Sequence, residues 1–144
     1  MKIYELAQAP NPRRVRIFLA EKSLIDTVEF VHVDLVKGDH LTEEFKKKNR
    51  ESAVPVLELD NGHCISESLS ICRYFEALDS KNALFGETAE EIATIDMWQR
   101  RIEAGILGTT GTYFHQATDG LGDERYRNKD WGLENSRRLI ENLS

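Results

Sequence analysis

Two short groups of residues near the middle of the chain could hold a ligand: Val54-Pro55 and Glu67-Ser68. Because proline cannot donate to a sheet ladder, the peptide before Pro55 is free to face something else, and a cis bond would turn the Val54 backbone outward. The Ser68 hydroxyl would stand beside unpaired N–H groups at the start of a helix, where a carboxylate can bind. The simpler alternative is that Pro55 starts a strand and that Ser66 or Ser68 caps a helix.

The residues around these groups predict a hairpin followed by a helix. A branched, apolar strand covers 54–59, Asp60-Asn61-Gly62 favours a tight turn, and 63–65 forms a short return strand. Helical spacing then relates the apolar residues Leu69, Ile71, Cys72, Phe75 and Leu78. The two groups are therefore expected at the start of a strand and at the start of a helix.

The composition excludes several classes of protein and partner. The 144 residues are 40% hydrophobic and carry a formal net charge of −6, so no basic field exists to hold nucleic acid or an anionic membrane. The first residues lack an apolar signal segment. No apolar stretch of the chain approaches about 18 residues, the length that a membrane-spanning helix requires. We therefore expect a soluble, cytoplasmic protein that binds neither nucleic acid nor membrane.

The cysteines and histidines form no pattern that is typical of a metal site. Cys64 and Cys72 are not a Cys-x-x-Cys pair, and the four histidines are scattered along the chain. Two buried, reduced thiols and no metal cofactor are the expectation.

The N-terminal residues predict a small mixed sheet with helices on both faces. An alternating strand at 2–6, a helix at 13–22 and a β-branched strand at 28–33 precede a short helix that Thr42 would cap, ending near residue 48. With the hairpin and its helix, the order is β-α-β-α-β-β-α with the last two strands antiparallel. This order is thioredoxin-like.

A second, all-α domain is expected after a linker. The predicted boundaries are 1–80 for the first domain, 81–87 for the linker and 88–144 for the helical domain. Thr88-Ala89-Glu90-Glu91 is a capping box that opens a long helix; a loop at 119–123 and a last helix at about 129–143 follow. The residues expected to face inward are Ile92, Ile95, Ile102 and Ile106 in the long helix and Leu133, Leu139, Ile140 and Leu143 in the last.

Three glycines interrupt the long helix at intervals of three residues. Gly105, Gly108 and Gly111 each cost a helix about 1 kcal/mol relative to alanine. They either permit close approach of another helix or a ligand, or they bend the helix or end it early. Trp98, Arg101 and Thr112 share a face with the first two of them.

Taken together, these segments resemble the glutathione S-transferase family. The matching pieces are 10–19 (PNPRRVRIFL), 54–57 (VPVL), and Glu67-Ser68 with the Ile71 and Tyr74 that follow. The linker, 97–101 (MWQRR) and 128–132 (NKDWG) are similar to bacterial and fungal members. Each motif alone is weak, whereas their joint order along the whole chain is specific.

The resemblance implies a glutathione site on the first domain. The Val54 backbone would pair with the cysteinyl unit of this γ-Glu-Cys-Gly tripeptide, held outward by a cis Pro55. Glu67 would meet the γ-glutamyl ammonium, and Ser68 with its helix N-terminus the adjacent carboxylate. His40, with Lys37 as a second candidate, would hold the glycyl carboxylate. The second, hydrophobic substrate would contact Trp98, Arg101, Gly105 and Gly108.

The position of the usual catalytic residue departs from the family pattern. Serine- and cysteine-type members place that residue where this chain has Ala9, which offers no group to a thiol. Asn11 remains, as in the nu-type, disulfide-oxidoreductase-like members, where an asparagine contacts the sulfur. Tyr4 is an alternative that falls too early in its strand and is better explained as a strand aromatic.

The energies indicate that the Asn11 side-chain amide and the N-terminus of the helix at 13–22 are together sufficient. A thiol pKa near 8.5 must fall by about two units, which is roughly 2.7 kcal/mol. A hydrogen bond to a charged group supplies about 1.5–3 kcal/mol, and a helix N-terminus about 0.3–1 kcal/mol.

The resemblance therefore favours a glutathione transferase that adds or exchanges glutathione thiolate with an electrophilic, disulfide or peroxide substrate. The alternative is a non-catalytic glutathione-fold binding or regulatory protein, and a third possibility is a fragment that does neither well. Family members continue with further helices past the position of Ser144. The helical domain of this chain should therefore expose its apolar stripes, Ile92, Ile95, Ile102 and Ile106 in the long helix and Leu139, Ile140 and Leu143 in the last. We expect either that this chain is a fragment or that another chain covers these faces, with a homodimer as the arrangement the family implies.

Overall fold

A four-stranded mixed sheet organises the first unit of the chain. The computed structural model describes residues 1–118 and 127–143 and divides the chain into two units, Met1–Leu84 and Phe85–Ser144. The strands are β1 (Lys2–Glu5), β2 (Glu29–His32), β3 (Val56–Glu58) and β4 (Cys64–Ser66), in the order β2-β1-β3-β4. β1 is parallel to β2 and antiparallel to β3, and β3 is antiparallel to β4. The expected antiparallel hairpin is confirmed.

Helices cover both faces of this sheet. They are α1 (Pro10–Glu21), α2 (Glu43–Lys48) and α3 (Ser68–Leu78), and short 3-10 turns lie at Ile25–Thr27 and Asp39–Leu41. Successive side chains of a strand point to opposite faces. Glu5 of β1 accepts a hydrogen bond from Arg16 of α1, whereas the ring of Tyr4 packs against Phe45 of α2, with centroids 6.4 Å apart. α1 and α2 therefore lie on opposite faces, and α3 packs beside α1. This is the thioredoxin-like arrangement that the sequence predicts.

Each face has its own apolar core. On the α2 face, Val33, Phe45 and Val56 are buried, and the partly buried Tyr4, Leu35, Val54 and Cys64 pack against them. The residues that α1 and α3 bury are Pro12, Val15, Phe18, Leu19, Ser68, Ile71, Cys72 and Phe75. Both cysteines are free thiols, Cys72 buried and Cys64 half-buried. The site residues of this unit are thus attached to a closely packed sheet.

The described part of the second unit is helical. It contains α4 (Ala89–Ile102), a π-helical turn (Glu103–Leu107), α5 (Gly108–Ala117) and α6 (Lys129–Leu143). Thr88 and Glu91 form the predicted capping box. The Thr88 hydroxyl accepts a hydrogen bond from the Glu91 backbone N–H, and the Glu91 carboxylate accepts one from the Thr88 backbone N–H. The boundary between the units falls within the predicted linker 81–87. The loop expected at 119–123 lies outside the described residues.

The apolar faces predicted for the helical unit are exposed or only partly buried, as expected for a chain whose apolar faces further residues or another chain would cover. α4 has no buried residue, and Ile92 and Ile102 are 45% and 44% exposed. α6 buries Gly132 and Asn135, while the predicted inward residues are exposed or only partly buried: Leu133, Leu139, Ile140 and Leu143. α6 uses a small residue because its backbone approaches α5 closely: a Cβ on Gly132 would lie 2.8 Å from the Ala117 nitrogen.

The glycines of the long helix mark a change in its hydrogen bonding. The π-helical turn spans Gly105, whose carbonyl accepts from the Thr109 hydroxyl (2.6 Å) and from the Asn142 amide of α6 (2.6 Å). A π-helical turn and a side chain that inserts into the backbone hydrogen-bond ladder are both recognised sites of helix bending. A Cβ on Gly105 would meet the Asn142 side chain at 3.3 Å, whereas Gly111 has open space around it. Close helix approach and altered helix geometry thus occur together at Gly105.

The described residues include neither a membrane-spanning helix nor a metal-binding cluster. Over 1–118 and 127–143, no helix is both long and apolar enough to cross a membrane. In the same part of the chain, no group of three or more His, Cys, Asp or Glu side chains is arranged to hold a metal ion.

Candidate functional site

The junction between β4 and α3 places Glu67 and Ser68 at a helix N-terminus. β4 ends at Ser66 and α3 begins at Ser68, so Glu67 alone makes the turn and is held at φ 67°, ψ 115°. Positive φ is unfavourable for a residue with a Cβ, by about 1–3 kcal/mol. No side chain caps this helix, so neither Ser66 nor Ser68 acts as the predicted cap. The result is an exposed carboxylate directly beside free N–H groups of a helix.

Ser68 itself is buried and has a partner that the sequence did not reveal. It is 5% exposed, and its Oγ accepts a hydrogen bond from Nη1 of Arg14 at 3.0 Å. Arg14 precedes Val15 by one residue and Phe18 by four, which puts it at the edge of the buried face that packs against α3. Helical spacing contained this signal, but only the packing of α1 on α3 identifies its partner.

The loop before β3 places Val54. The Val54–Pro55 peptide is cis, as the resemblance implies. Val54 precedes the paired residues of β3 and is half-buried. Asn49, buried after α2, shapes this loop: its amide donates to the Ala53 carbonyl (2.9 Å), and its Oδ1 accepts from the Glu51 N–H (3.2 Å). Asn49 is a positioning residue that no sequence motif indicated.

The N-terminus of α1 offers fewer donors than the sequence reasoning assumed. Ala9 is the N-cap, so Pro10, Asn11 and Pro12 occupy the first three helical positions. Proline has no N–H, and the Arg13 N–H donates to the Ala9 carbonyl at 3.0 Å. Asn11 is therefore the one residue of 10–12 with a backbone N–H, and its side chain is exposed. Any anion at this helix end would depend on Asn11.

Tyr4 is committed to a different cluster. Its hydroxyl donates to Oε2 of Glu58 (2.7 Å), which also accepts from Nζ of Lys48 (2.6 Å). Burial, followed by the hydrogen bond to Glu58, raises the pKa of Tyr4. A tyrosine that activates a thiol needs a free hydroxyl and easier ionisation, so this geometry favours the strand-aromatic interpretation.

The two candidates for a glycyl carboxylate differ in their surroundings. Lys37 is exposed and pairs with Asp34 at 3.1 Å. The backbone N–H of Lys37, followed by its side chain, lowers the pKa of Asp34. His40 lies in the 3-10 turn Asp39–Leu41, and its Nδ1 is buried with no hydrogen-bond partner in the part of the chain that is described. An unpaired ring nitrogen makes His40 the better candidate.

A groove of about 280 Å³ lies in the second unit. The Arg101 guanidinium stands 5.1 Å from the Trp98 ring in a cation–π contact. The residues that line the groove are Trp98, Arg101, Ile102, Gly105, Ile106 and Asn142. The structure thus brings together three of the four residues predicted for a second substrate. Gly108 is not among the described residues that line the groove, and its carbonyl accepts from Thr112.

Fold and site together define the class of the protein. A sheet of order β2-β1-β3-β4 with α1 and α2 on opposite faces, followed by helices, is a thioredoxin-like unit joined to an all-α unit. The cis proline before β3 and the acidic residue and serine at the start of α3 lie on this first unit.

Comparison with known proteins gives the family. Residues 3–83 match the family model of the glutathione S-transferase N-terminal domain. Glutathione S-transferase 2 of Saccharomyces cerevisiae is 43% identical over 99% of this chain and 62% of its own length. The chain therefore belongs to the glutathione S-transferase family.

Solved structures agree with this assignment. The crystal structure of Gtt2 from S. cerevisiae has a TM-score of 0.93 at 43% identity and is covered over 70% of its length. A glutathione S-transferase domain-containing protein from Marinobacter aquaeolei VT8 has a TM-score of 0.93 at 42% identity, with 71% covered. Each comparison covers 99% of this chain. The chain spans 62% of its yeast relative and 48% of glutathione S-transferase 1 from Manduca sexta.

Proposed function

We propose that this chain provides the glutathione site of a glutathione transferase, which adds or exchanges glutathione thiolate with an electrophilic, disulfide or peroxide substrate. The observation that carries the proposal is the start of α3, where the exposed Glu67 carboxylate lies next to Ser68 and the uncapped helix N-terminus. The γ-glutamyl end of glutathione carries an ammonium and a carboxylate on the same carbon. Adjacent negative and positive groups on the protein suit that pair of charges.

The other two units of the tripeptide have candidate partners on the same unit of the chain. The Val54 backbone, which precedes the paired residues of β3, would bond the cysteinyl unit behind the cis Pro55. The unpaired Nδ1 of His40 supports a role for this ring at the glycyl carboxylate. An extended peptide held by backbone at its centre and by charge at its ends would be fixed in one direction.

We assign thiolate stabilisation to Asn11. Lowering a thiol pKa from about 8.5 by about two units requires roughly 2.7 kcal/mol. One charge-assisted hydrogen bond from the side-chain amide supplies about 1.5–3 kcal/mol. The backbone N–H of Asn11 adds to it, and the flanking prolines leave no neighbouring N–H in 10–12. Asn11 would stabilise the thiolate without removing its proton, so the proton would leave to solvent.

The second substrate is assigned to the groove that Trp98, Arg101 and Gly105 line. An indole ring beside isoleucine side chains suits an apolar or aromatic electrophile. We further propose that the protein is cytoplasmic and forms a homodimer. The dimer is supported by the large apolar side chains that the second unit exposes, such as Ile140 (69%) and Leu143 (64%). Light scattering of the 144-residue chain over a dilution series tests the dimer: a well-folded monomer at micromolar concentration would contradict it.

A non-catalytic glutathione-binding protein is the second candidate. The observation that favours it is Ala9, which places a methyl group where serine- and cysteine-type members have a hydroxyl or a thiol. Binding would be retained in this case, because the residues at the start of α3 do not depend on Ala9.

Calorimetry and turnover together distinguish the two candidates. Glutathione is titrated into the chain, and turnover is then measured with an aryl halide, a low-molecular-weight disulfide and an organic hydroperoxide. Binding with turnover of any of the three, lost in Asn11→Ala, supports the transferase. Binding with no turnover above the uncatalysed rate supports the regulatory candidate, and absence of binding contradicts both.

A further inference from the structure

Arg14 of α1 is a positively charged residue in contact with the start of α3, and the proposed glutathione site gives it no role so far. We propose that Arg14 is a positioning residue for glutathione, which holds the Ser68 hydroxyl so that it donates to the γ-glutamyl carboxylate. This inference rests on the proposed function, since it concerns the same site.

The polarity of one hydrogen bond carries the argument. A guanidinium has only donors, so Ser68 Oγ must accept in its 3.0 Å contact with Arg14 Nη1. The hydroxyl proton of Ser68 is then available for another partner. No acceptor for it is found among the residues that the structure describes, although Ser68 is only 5% exposed. A buried hydroxyl held as an acceptor on one side is prepared to donate on the other, and a carboxylate accepts such a bond.

Arg14 also places a positive charge at this end of α3. Its charge opposes the effect of burial on Cys72, four residues after Ser68, although burial dominates and raises the pKa of that thiol to about 12. Arg14 thus acts electrostatically on the first turns of α3, where the N–H groups without a side-chain cap also lie. Guanidinium, hydroxyl and helix N-terminus would all favour an anion at the same place.

A cycle of two ligands and several variants tests the role of Arg14. Glutathione is compared with 4-aminobutyryl-Cys-Gly, which lacks only the γ-glutamyl carboxylate, by calorimetry with the 144-residue chain. We expect Arg14→Gln to weaken glutathione binding by about tenfold or more, because a charge-assisted contact is lost, and to change analogue binding by less than about threefold. Arg13→Gln is the matched control, since Arg13 is exposed on the same helix; both affinities should stay unchanged.

Coupling to Ser68 makes the test specific. If Arg14 acts through the hydroxyl, the losses from Arg14→Gln and Ser68→Ala should not add in the double variant. Arg14→Lys, which keeps the charge but not the planar fork, should give a smaller loss that is again confined to glutathione, and it replaces Arg14→Gln if that variant does not fold.

Three outcomes would overturn the inference and leave the proposed function standing. Equal losses for both ligands would show that Arg14 merely supports the fold, and unchanged glutathione affinity in a folded Arg14→Gln variant would remove it from the site. Additive losses with Ser68→Ala would separate it from the hydroxyl. If the unmodified chain does not bind glutathione, the proposed function fails first and this inference with it; in the other cases the proposed function stands.

Discussion

Two glycine-to-alanine substitutions in the second unit should have opposite effects on its stability. Gly132 of α6 is buried, and a Cβ there would lie 2.8 Å from both the nitrogen and the Cβ of Ala117, and 3.0 Å from the Cβ of Gln116. A backbone nitrogen cannot rotate away, so the helices must separate. Gly111 of α5 is also helical, but no other atom lies within 4 Å of its added Cβ.

The magnitudes follow from these surroundings. Overpacking costs about 1–3 kcal/mol, and the better helix propensity of alanine offsets about 1 kcal/mol of this. We expect Gly132→Ala to lower the free energy of unfolding by about 1–2 kcal/mol, since the clash involves backbone. Gly111→Ala gains the propensity term alone, about 1 kcal/mol. The two variants should therefore differ by about 2–3 kcal/mol.

Urea denaturation followed by tryptophan fluorescence measures this difference. Both tryptophans, Trp98 and Trp131, lie in the second unit, so their emission reports on it directly. With a slope of about 1–2 kcal/mol per molar urea, the two midpoints should differ by at least about 1 M. If Gly132→Ala is as stable as the unmodified chain, the close approach of α5 and α6 at this position does not exist.

Further predictions concern the first unit. Burial raises the pKa of Cys64, and it raises the pKa of the more deeply buried Cys72 to about 12. A thiol reagent near neutral pH should therefore modify Cys64 first and Cys72 only after denaturant is added. Equal modification rates for the two thiols would contradict this difference in burial. Hydrogen bonds from Lys48 and then Tyr4 lower the pKa of Glu58 below its ordinary 4.5, so its contribution to stability is present above that value and is lost as pH falls through the lower folded pKa. Glu58→Gln should therefore be less stable at neutral pH and lose less stability on acidification, as measured by thermal unfolding over a pH series. Glu67→Gly should weaken glutathione binding without lowering the melting temperature, since glycine removes the strain at φ 67°; a large loss of stability would show that the turn is unstrained. Ser68→Ala should weaken binding by about 1–3 kcal/mol in calorimetry, and unchanged affinity would leave its hydroxyl without a role there.

The sequence by itself determined the features that depend on neighbouring residues. Asp60-Asn61-Gly62 turns the hairpin with Gly62 at φ 81°, and Thr88 with Glu91 closes a capping box. Thr42 accepts the Phe45 N–H at 3.3 Å to begin α2. Each interaction is completed within three or four residues, so the residue types and their spacing are sufficient to predict it. The strand and helix order, and with it the fold class, followed from these signals and from apolar periodicity.

Only the tertiary structure decided which residues meet across the chain. Arg14 and Ser68 are 54 residues apart, as are Tyr4 and Glu58, and neither pair is signalled by local spacing. The apolar faces of α4 and α6 have a related limit: periodicity identifies an apolar stripe but not which other element covers it. α6 instead packs through Gly132, where close backbone approach requires the absence of a side chain. The positions of Glu67 and Ser68 were predictable because they are local to one helix start, whereas the group that orients Ser68 depended on how α1 packs against α3.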